Sequence, residues 1–245
     1  MAKTLKKLSR DFRLGLYRLR HGPKFDYHSI KVTIPDHIPF TFKRQVMQGK
    51  YEEAERRLVD AHLDPHLPVI EMGGSLGILS AYIARKLAPQ TPYWVIEANP
   101  DIIDICTENV ATQPRSVPVQ VHNYAIAYGA ESVSFAKSEN VHISRLGSDI
   151  LPGNVNIAAR TLQQIVSAMG VTEGFSLIMD IEGAEFDVFE NDGEAFASCR
   201  LAVVEIHPHI FEQQGRSVAR FMELVEKAGM KTLEQHENTL ALVRR

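Results

Sequence analysis

The stretch Leu67-Pro68-Val69-Ile70-Glu71-Met72-Gly73-Gly74-Ser75-Leu76-Gly77-Ile78-Leu79-Ser80 constrains the chain more than any other. It reads as a buried strand, a glycine turn and a helix. Leu67 to Met72 is a short apolar run with a proline only at its start, where a strand tolerates one. Gly73, Gly74 and Gly77 let the backbone turn tightly and approach something closely. The helix that follows, from Leu76 to about Leu87, aims its free amides back at the turn, and such an end attracts negative charge. Glu71 is an acid at the end of a buried strand, expensive there unless it meets a donor or a cation. The stretch therefore describes a seat for a ligand with an anionic end and a donor or cationic group.

The same grammar repeats downstream. Tyr93 to Glu97, Val117 to His122, Phe175 to Asp180 and Leu201 to His207 are further apolar runs that end in polar residues. Helical patterns separate them at about 100–112, 162–169 and 215–229, and Asn99 with Pro100 suits a helix start. Strands alternating with helices predict an α/β chain with a doubly wound, mostly parallel sheet. Residues 230–235 and 239–243 predict a closing hairpin that adds an antiparallel strand at one edge. Ser132 to Ala136 suggests an extra strand, and a polar loop over about 137–156 carries His142, Arg145 and Asp149. Before the core, Ser29 to Ile34 alternates as a strand, Phe40 to Phe42 continues that pattern, and Tyr51 to Ala61 reads as a helix. The expected organisation is a basic amphipathic helix over 1–24, a cap segment over 25–66 and the main domain over 67–245.

Charge divides the chain unevenly. Residues 1–24 carry a net +7 within a total of −3, leaving −10 for the remainder. An acidic main body argues against nucleic acid as a partner. Within 2–20, Leu5, Leu8, Phe12, Leu16 and Leu19 recur at helical spacing against Lys6, Lys7, Arg10, Arg13 and Arg18. Such a helix packs on its own domain or on a second subunit of a homo-oligomer; peripheral contact with an anionic membrane is the less favoured reading. No apolar run approaches the roughly 18 residues of a membrane span. Two cysteines, Cys106 and Cys199, make no disulfide framework and no metal-ligand spacing, so a reducing, cytoplasmic setting is expected.

In open parallel sheets ligands bind beyond the carboxyl ends of the strands. Glu71, Glu97 with Asn99, His122 with Asn123, Asp180 with Glu182, and Glu205 with His207 collect there. Glu97 lies 20 residues past Gly77, the place where an acid receives both hydroxyls of a ribose. A dinucleotide turn would need a glycine where Met72 stands, and Glu71 would repel a pyrophosphate. The same acid would welcome the ammonium of an amino acid while the helix start meets its carboxylate. Adenosine joined to an amino acid satisfies both ends, which is S-adenosylmethionine. Gly73, Gly74 and Gly77 would form its turn, Glu71 would meet its ammonium and Glu97 its ribose. Asn99 would assist, and Asn123 would meet its adenine.

Four blocks carry a family likeness: Glu71-Met72-Gly73-Gly74-Ser75-Leu76-Gly77, Val95-Ile96-Glu97-Ala98-Asn99-Pro100, Ile178-Met179-Asp180-Ile181-Glu182-Gly183-Ala184-Glu185, and Val203-Val204-Glu205-Ile206-His207-Pro208. In this order, across about residues 50–210, the chain resembles the FkbM-type family of S-adenosylmethionine-dependent class I methyltransferases. It departs from the family pattern at Leu162-Gln163, where an Asp often follows the Leu. The resemblance implies the seven-stranded Rossmann-like methyltransferase fold and methylation of a hydroxyl on a small molecule or sugar. Asp180, Glu182 and His207 would then flank the reacting methyl as base candidates, with Asp180 also touching the cofactor. Their convergence permits a divalent metal, but no metal ligands are assigned. Two rivals stand beside this reading: a nicotinamide-dependent oxidoreductase, and a non-catalytic scaffold docked through the basic helix.

Overall fold

The computed structural model describes residues 22–135, 146–147 and 155–245. The basic helix expected over 1–24 falls almost entirely outside them, as do His142, Arg145 and Asp149 of the polar loop. The chain divides into two compact units, Met1–Tyr51 and Glu52–Arg245.

In the first unit, strands β1 (Lys24–Tyr27) and β2 (Ile30–Thr33) pair antiparallel, with Phe25 opposite Val32 and Tyr27 opposite Ile30. His28 and Ser29 between them both take positive φ, 46° and 67°, the backbone of a two-residue hairpin turn. Phe25, Tyr27, Ile30 and Val32 are buried, as strict alternation requires. Phe40 to Phe42 does not continue as a strand. It begins α1 (Phe40–Met47), directly after Pro39. Phe42 and Val46, four residues apart, share the buried face of that helix.

The second unit is built on a seven-stranded sheet. Its strands are β3 (Val69–Met72), β4 (Tyr93–Ile96), β5 (Gln120–His122), β10 (Phe175–Met179), β11 (Cys199–Glu205), β12 (Met230–His236) and β13 (Thr239–Arg244), in the spatial order β12-β13-β11-β10-β3-β4-β5. This is the expected doubly wound, mostly parallel sheet. The chain starts at the centre with β3, adds β4 and β5 on one side, then returns to add β10 and β11 on the other. The order therefore reverses between β3 and β10, the place where such sheets open a crevice. The helices of this unit are α2 (Glu53–His62), α3 (Ile78–Lys86), α4 (Ile103–Ala111), α5 (Leu162–Met169), α6 (Glu185–Asn191), α7 (Pro208–Gln213) and α8 (Val218–Lys227).

The closing hairpin corrects one expectation. β13 is the antiparallel strand, but it sits one place in from the edge, between β11 and β12. Composition explains the choice. Thr239 to Leu242 are buried, whereas Lys231, Thr232 and Leu233 of β12 are exposed, and a polar strand tolerates the edge better. A second, smaller sheet was only half anticipated. β7 (Ser132–Phe135) is the expected extra strand, but β9 (Val155–Arg160) arises where a loop end was expected. β9 pairs antiparallel with β7 and parallel with β6 (Ala125–Ile126), while β8 (Leu146–Gly147) flanks β7.

Register builds the rim. Met72 pairs with Ile96 on one side and with Met179 on the other, and Met179 pairs with Val204. The next residue of each strand emerges at the same level: Gly73, Glu97, Asp180 and Glu205. Beneath this rim a group of phenylalanines fixes the helices on one face. Phe186 of α6 packs edge-on against Phe211 of α7, ring centroids 5.5 Å apart, and Phe189 of α6 meets Phe221 of α8 at 5.1 Å. The helices that follow β10 and β11 at the rim, α6 and α7, are anchored in this way.

Candidate active site

The glycine turn is tight for reasons the protein itself supplies. Gly73 has φ of +91°, and a Cβ there would lie 1.7 Å from the carbonyl oxygen of Asp180. Gly77 has φ of +73°, and its Cβ would lie 2.7 Å from the carbonyl oxygen of Cys106. Most turn amides are already engaged. Gly73 and Gly74 donate to the Ile96 carbonyl at 2.8 and 3.2 Å, and Gly77 donates to Gly74 at 2.8 Å.

Ser75 donates to the side chain of Glu97. The Glu97 carboxylate spans two backbones: Oε2 accepts the Ser75 amide at 2.7 Å and Oε1 accepts the Asn99 amide at 2.7 Å. It is 9% exposed. Burial raises its pKa, opposed by the amides of Asn99, Ser75 and Ala98. A carboxylate has about four acceptor sites, so the amides do not exhaust it. Asn99 Oδ1 accepts the Asp101 amide at 3.0 Å, a local turn bond. Asn123 Nδ2 donates to the carbonyls of Glu97 and Ala98 at 2.8 and 3.0 Å. That amide spends both protons holding the Glu97 segment, and Oδ1 is what remains for a ligand.

Glu71, the acid expected to meet a ligand's ammonium, is buried at the end of β3. It is 3% exposed, and Oε2 accepts the hydroxyl of Tyr93. Burial lifts its pKa to about 7, against the hydrogen bond from Tyr93 that lowers it.

The far side of the rim is rich in carboxyls. His207, just before α7, stands with Nε2 3.6 Å from Asp180 Oδ1 and 3.6 Å from Glu182 Oε2, while Nδ1 lies 3.1 Å from Glu185 Oε1. Glu205, at the end of β11, is raised to about 9 by burial and by the charges of Asp180 and Glu55. Asp180 is raised well above the usual carboxylate range by burial, then by Glu182 and Glu185. Burial alone would lower His207, but the hydrogen bond and charge of Glu185, with Glu182 and Glu205, raise it. Glu182 has φ of +53°, uncommon for a residue with a side chain, and its side chain is 54% exposed. Asp180, Glu185 and His207 can each bring one nitrogen or oxygen within 4.8 Å of the others. Glu185 Oε1 already receives two backbone amides and faces the imidazole, so we describe the group as a hydrogen-bonded network.

The structure thus brings Asp180, Glu182 and His207 together, and sets Gly73 and Glu97 level with Asp180 along the rim. Glu185 and Glu205 complete the cluster. Glu185 was legible in the sequence both as a helix-start acid and as a functional residue, with no partner assigned to it. Its signal was its place in the same Asp-x-Glu-Gly-Ala-Glu block as Asp180 and Glu182.

Residues 79–232 match the methyltransferase FkbM domain family. The chain belongs to that family. In this FkbM methyltransferase the matched span holds Glu97, Asn123, Asp180, Glu182, Glu185 and His207, while the glycine turn lies just ahead of it. Its sheet has the class I arrangement that the resemblance implied. Comparison with curated proteins found no match. Among solved structures it is similar to the magnesium protoporphyrin IX methyltransferase of Synechocystis PCC 6803 with bound SAH, at 11% identity and a TM-score of 0.49, over 98% of this chain and 99% of that one. It is also similar to the ribosomal protein L11 methylase of Lactobacillus delbrueckii subsp. bulgaricus, at 9% identity and a TM-score of 0.45, over 80% of each chain. The Aeropyrum pernix fibrillarin with natively bound S-adenosyl-L-methionine matches at 12% identity and a TM-score of 0.44, over 79% of this chain and 73% of that one. No helix among the described residues is long and apolar enough to cross a membrane.

Proposed function

We propose that this FkbM methyltransferase takes its methyl group from S-adenosylmethionine and delivers it to a hydroxyl of a small molecule or sugar. The observation that carries the reading is the shared register that brings Glu97, Gly73 and Asp180 out at one level. Glu97 presents its carboxylate to the vicinal hydroxyls of a ribose. Gly73 lets β3 and β10 lie close together at the rim, and the turn that it opens brings the Ser75 amide to Glu97. Asp180, Glu182 and His207 stand on the acceptor side. S-adenosylmethionine supplies a methyl on a sulfonium, whose carbon–sulfur bond breaks as the acceptor oxygen attacks, the sulfur keeping the electron pair. The protein's part is to align the acceptor oxygen with that bond and exclude water. His207 Nε2 receives the hydroxyl proton as the new bond forms.

Calorimetric titration with S-adenosylmethionine, followed by labelled-methyl transfer into a small-molecule cell extract, tests the reading. Cofactor binding with label appearing on an oxygen of one compound is expected. Binding of a nicotinamide dinucleotide without S-adenosylmethionine would overturn it, as would cofactor binding with no transfer across a broad metabolite panel.

A further inference from the structure

Glu185 opens α6, where an acid ordinarily lies in solvent and stabilises the helix dipole. Here it is fully buried, at 0% exposure, and a buried carboxylate is costly unless its partners are fixed. One oxygen is fixed. Oε1 accepts the amides of Ile181 at 3.0 Å and Gly183 at 3.1 Å, and lies 3.1 Å from His207 Nδ1. The other, Oε2, has no hydrogen-bond partner, an expense a plain helix-start acid would avoid by facing water.

We infer that Glu185 is the positioning residue of His207: it holds the imidazole with Nδ1 protonated and leaves Nε2 as the proton acceptor of the reaction. The inference rests on the methyl-transfer reading and adds to it the group that prepares the base. An ionised carboxylate can only accept, so the shared proton belongs to Nδ1. In the neutral ring Nε2 then carries the lone pair. It stands 3.6 Å from one oxygen each of Asp180 and Glu182, beyond hydrogen-bond reach of either.

The surroundings make the pair rigid. A Cβ on Gly183 would come within 2.4 Å of Ile210 Cγ2, so the loop that donates to Glu185 presses directly on α7. Phe186 and Phe211 lock the two helices one residue after Glu185 and four after His207. Among the described residues, four further titratable groups and a second imidazole surround the ring. Asp180 and Glu182 face Nε2 from the loop after β10. Glu205 approaches from β11 with Glu55 of α2 behind it, and His209 lies 6.2 Å away on α7.

When the acceptor hydroxyl gives its proton to Nε2, the ring becomes an imidazolium with a proton on each nitrogen. The Glu185 charge stabilises that cation at the moment it forms, and the proton later leaves from Nε2 to solvent.

Nitrogen-15 NMR of the histidines in the intact protein, with His207 assigned through His207→Gln, reads the tautomer without any substrate. The neutral ring protonated on Nδ1 is the expected result, and protonation on Nε2 overturns the inference. Glu185→Gln keeps an acceptor for Nδ1 but removes the charge. Its transfer rate into the extract should fall about 10²-fold. The acidic limb of its pH–rate profile should move to lower pH, with S-adenosylmethionine affinity unchanged. A limb that stays in place overturns the inference even if the rate falls. If Glu185→Gln does not fold, the wild-type tautomer decides. Loss of S-adenosylmethionine binding by the wild-type protein would sink the methyl-donor reading and leave the tautomer result standing.

Discussion

The carboxylate of Glu97 accepts the amide of Ser75 across the gap between two neighbouring strands, at 2.7 Å. One end of that bond is the middle of the glycine turn, the other the end of β4. Turn and acid are therefore one structural unit, and whatever binds the acid also feels the turn.

Glu97→Ala should lose most of the affinity for S-adenosylmethionine. Two ribose hydroxyls would lose a charged acceptor, each bond worth about 1.5–3 kcal/mol, or a loss on the order of 10²-fold or more. Glu97→Gln, which keeps one acceptor oxygen, should fall in between. Calorimetric titration checks both, with a thermal melt to show that the domain stays folded. Near-native binding by the alanine variant would remove the ribose assignment.

Gly73→Ala tests the turn from its other side. Its Cβ would lie 1.7 Å from the Asp180 carbonyl, at a φ of +91°. That clash is with backbone, so β3 and β10 must part or the turn must flip. The cost should be about 3 kcal/mol or more, read as a lower midpoint in urea unfolding. Glycine is needed here by the sheet itself, so the loss should appear in the absence of any cofactor.

Glu71 gives the fold a pH dependence of its own. Its pKa is raised to about 7 in the folded state from 4.5, chiefly by burial. Between those values the folded protein holds a proton that the unfolded chain releases. Stability from this group is therefore complete below pH 4.5, declines as pH rises and levels off above 7, a total of about 3 kcal/mol. Urea unfolding at pH 5 and pH 8 should show a smaller drop in Glu71→Gln than in the wild type. Equal drops in the two proteins would show that Glu71 does not titrate in this range.

Much of this was legible in the sequence because it follows from short, local patterns. Apolar runs ending in Glu97, Asp180 and Glu205 mark strand ends, and a parallel sheet brings strand ends together. What stayed hidden depends on packing between distant segments. Glu185 and His207 are 22 residues apart and meet only because two helices are locked by Phe186 and Phe211. Phe40 to Phe42 reads equally well as strand or helix over three residues, and Pro39 decided for the helix. Asn123 was legible as an adenine contact from its place after the third strand, but the hold of its Nδ2 on the carbonyls of Glu97 and Ala98 was not, because those carbonyls belong to a different strand end. β9 alternates weakly, with only Ile157 and Ala159 buried, and takes its shape from β7 more than from its own sequence.

Glu182 separates what the fold needs from what the chemistry needs. Its backbone is left-handed, with φ of +53°, and its side chain is half exposed and 3.6 Å from His207 Nε2. A residue with a Cβ in that region costs about 1–2 kcal/mol, and such strain persists where function retains it. Glu182→Gly removes the strain and pays some of it back through a more flexible unfolded chain. Its unfolding free energy should stay equal to wild type or rise by up to about 1 kcal/mol. Labelled-methyl transfer by the same variant should nonetheless slow, because the imidazolium formed at His207 loses a nearby charge. If the glycine variant is both as stable and as active as wild type, Glu182 has no part in the reaction, and Asp180 with Glu185 must supply the field around His207.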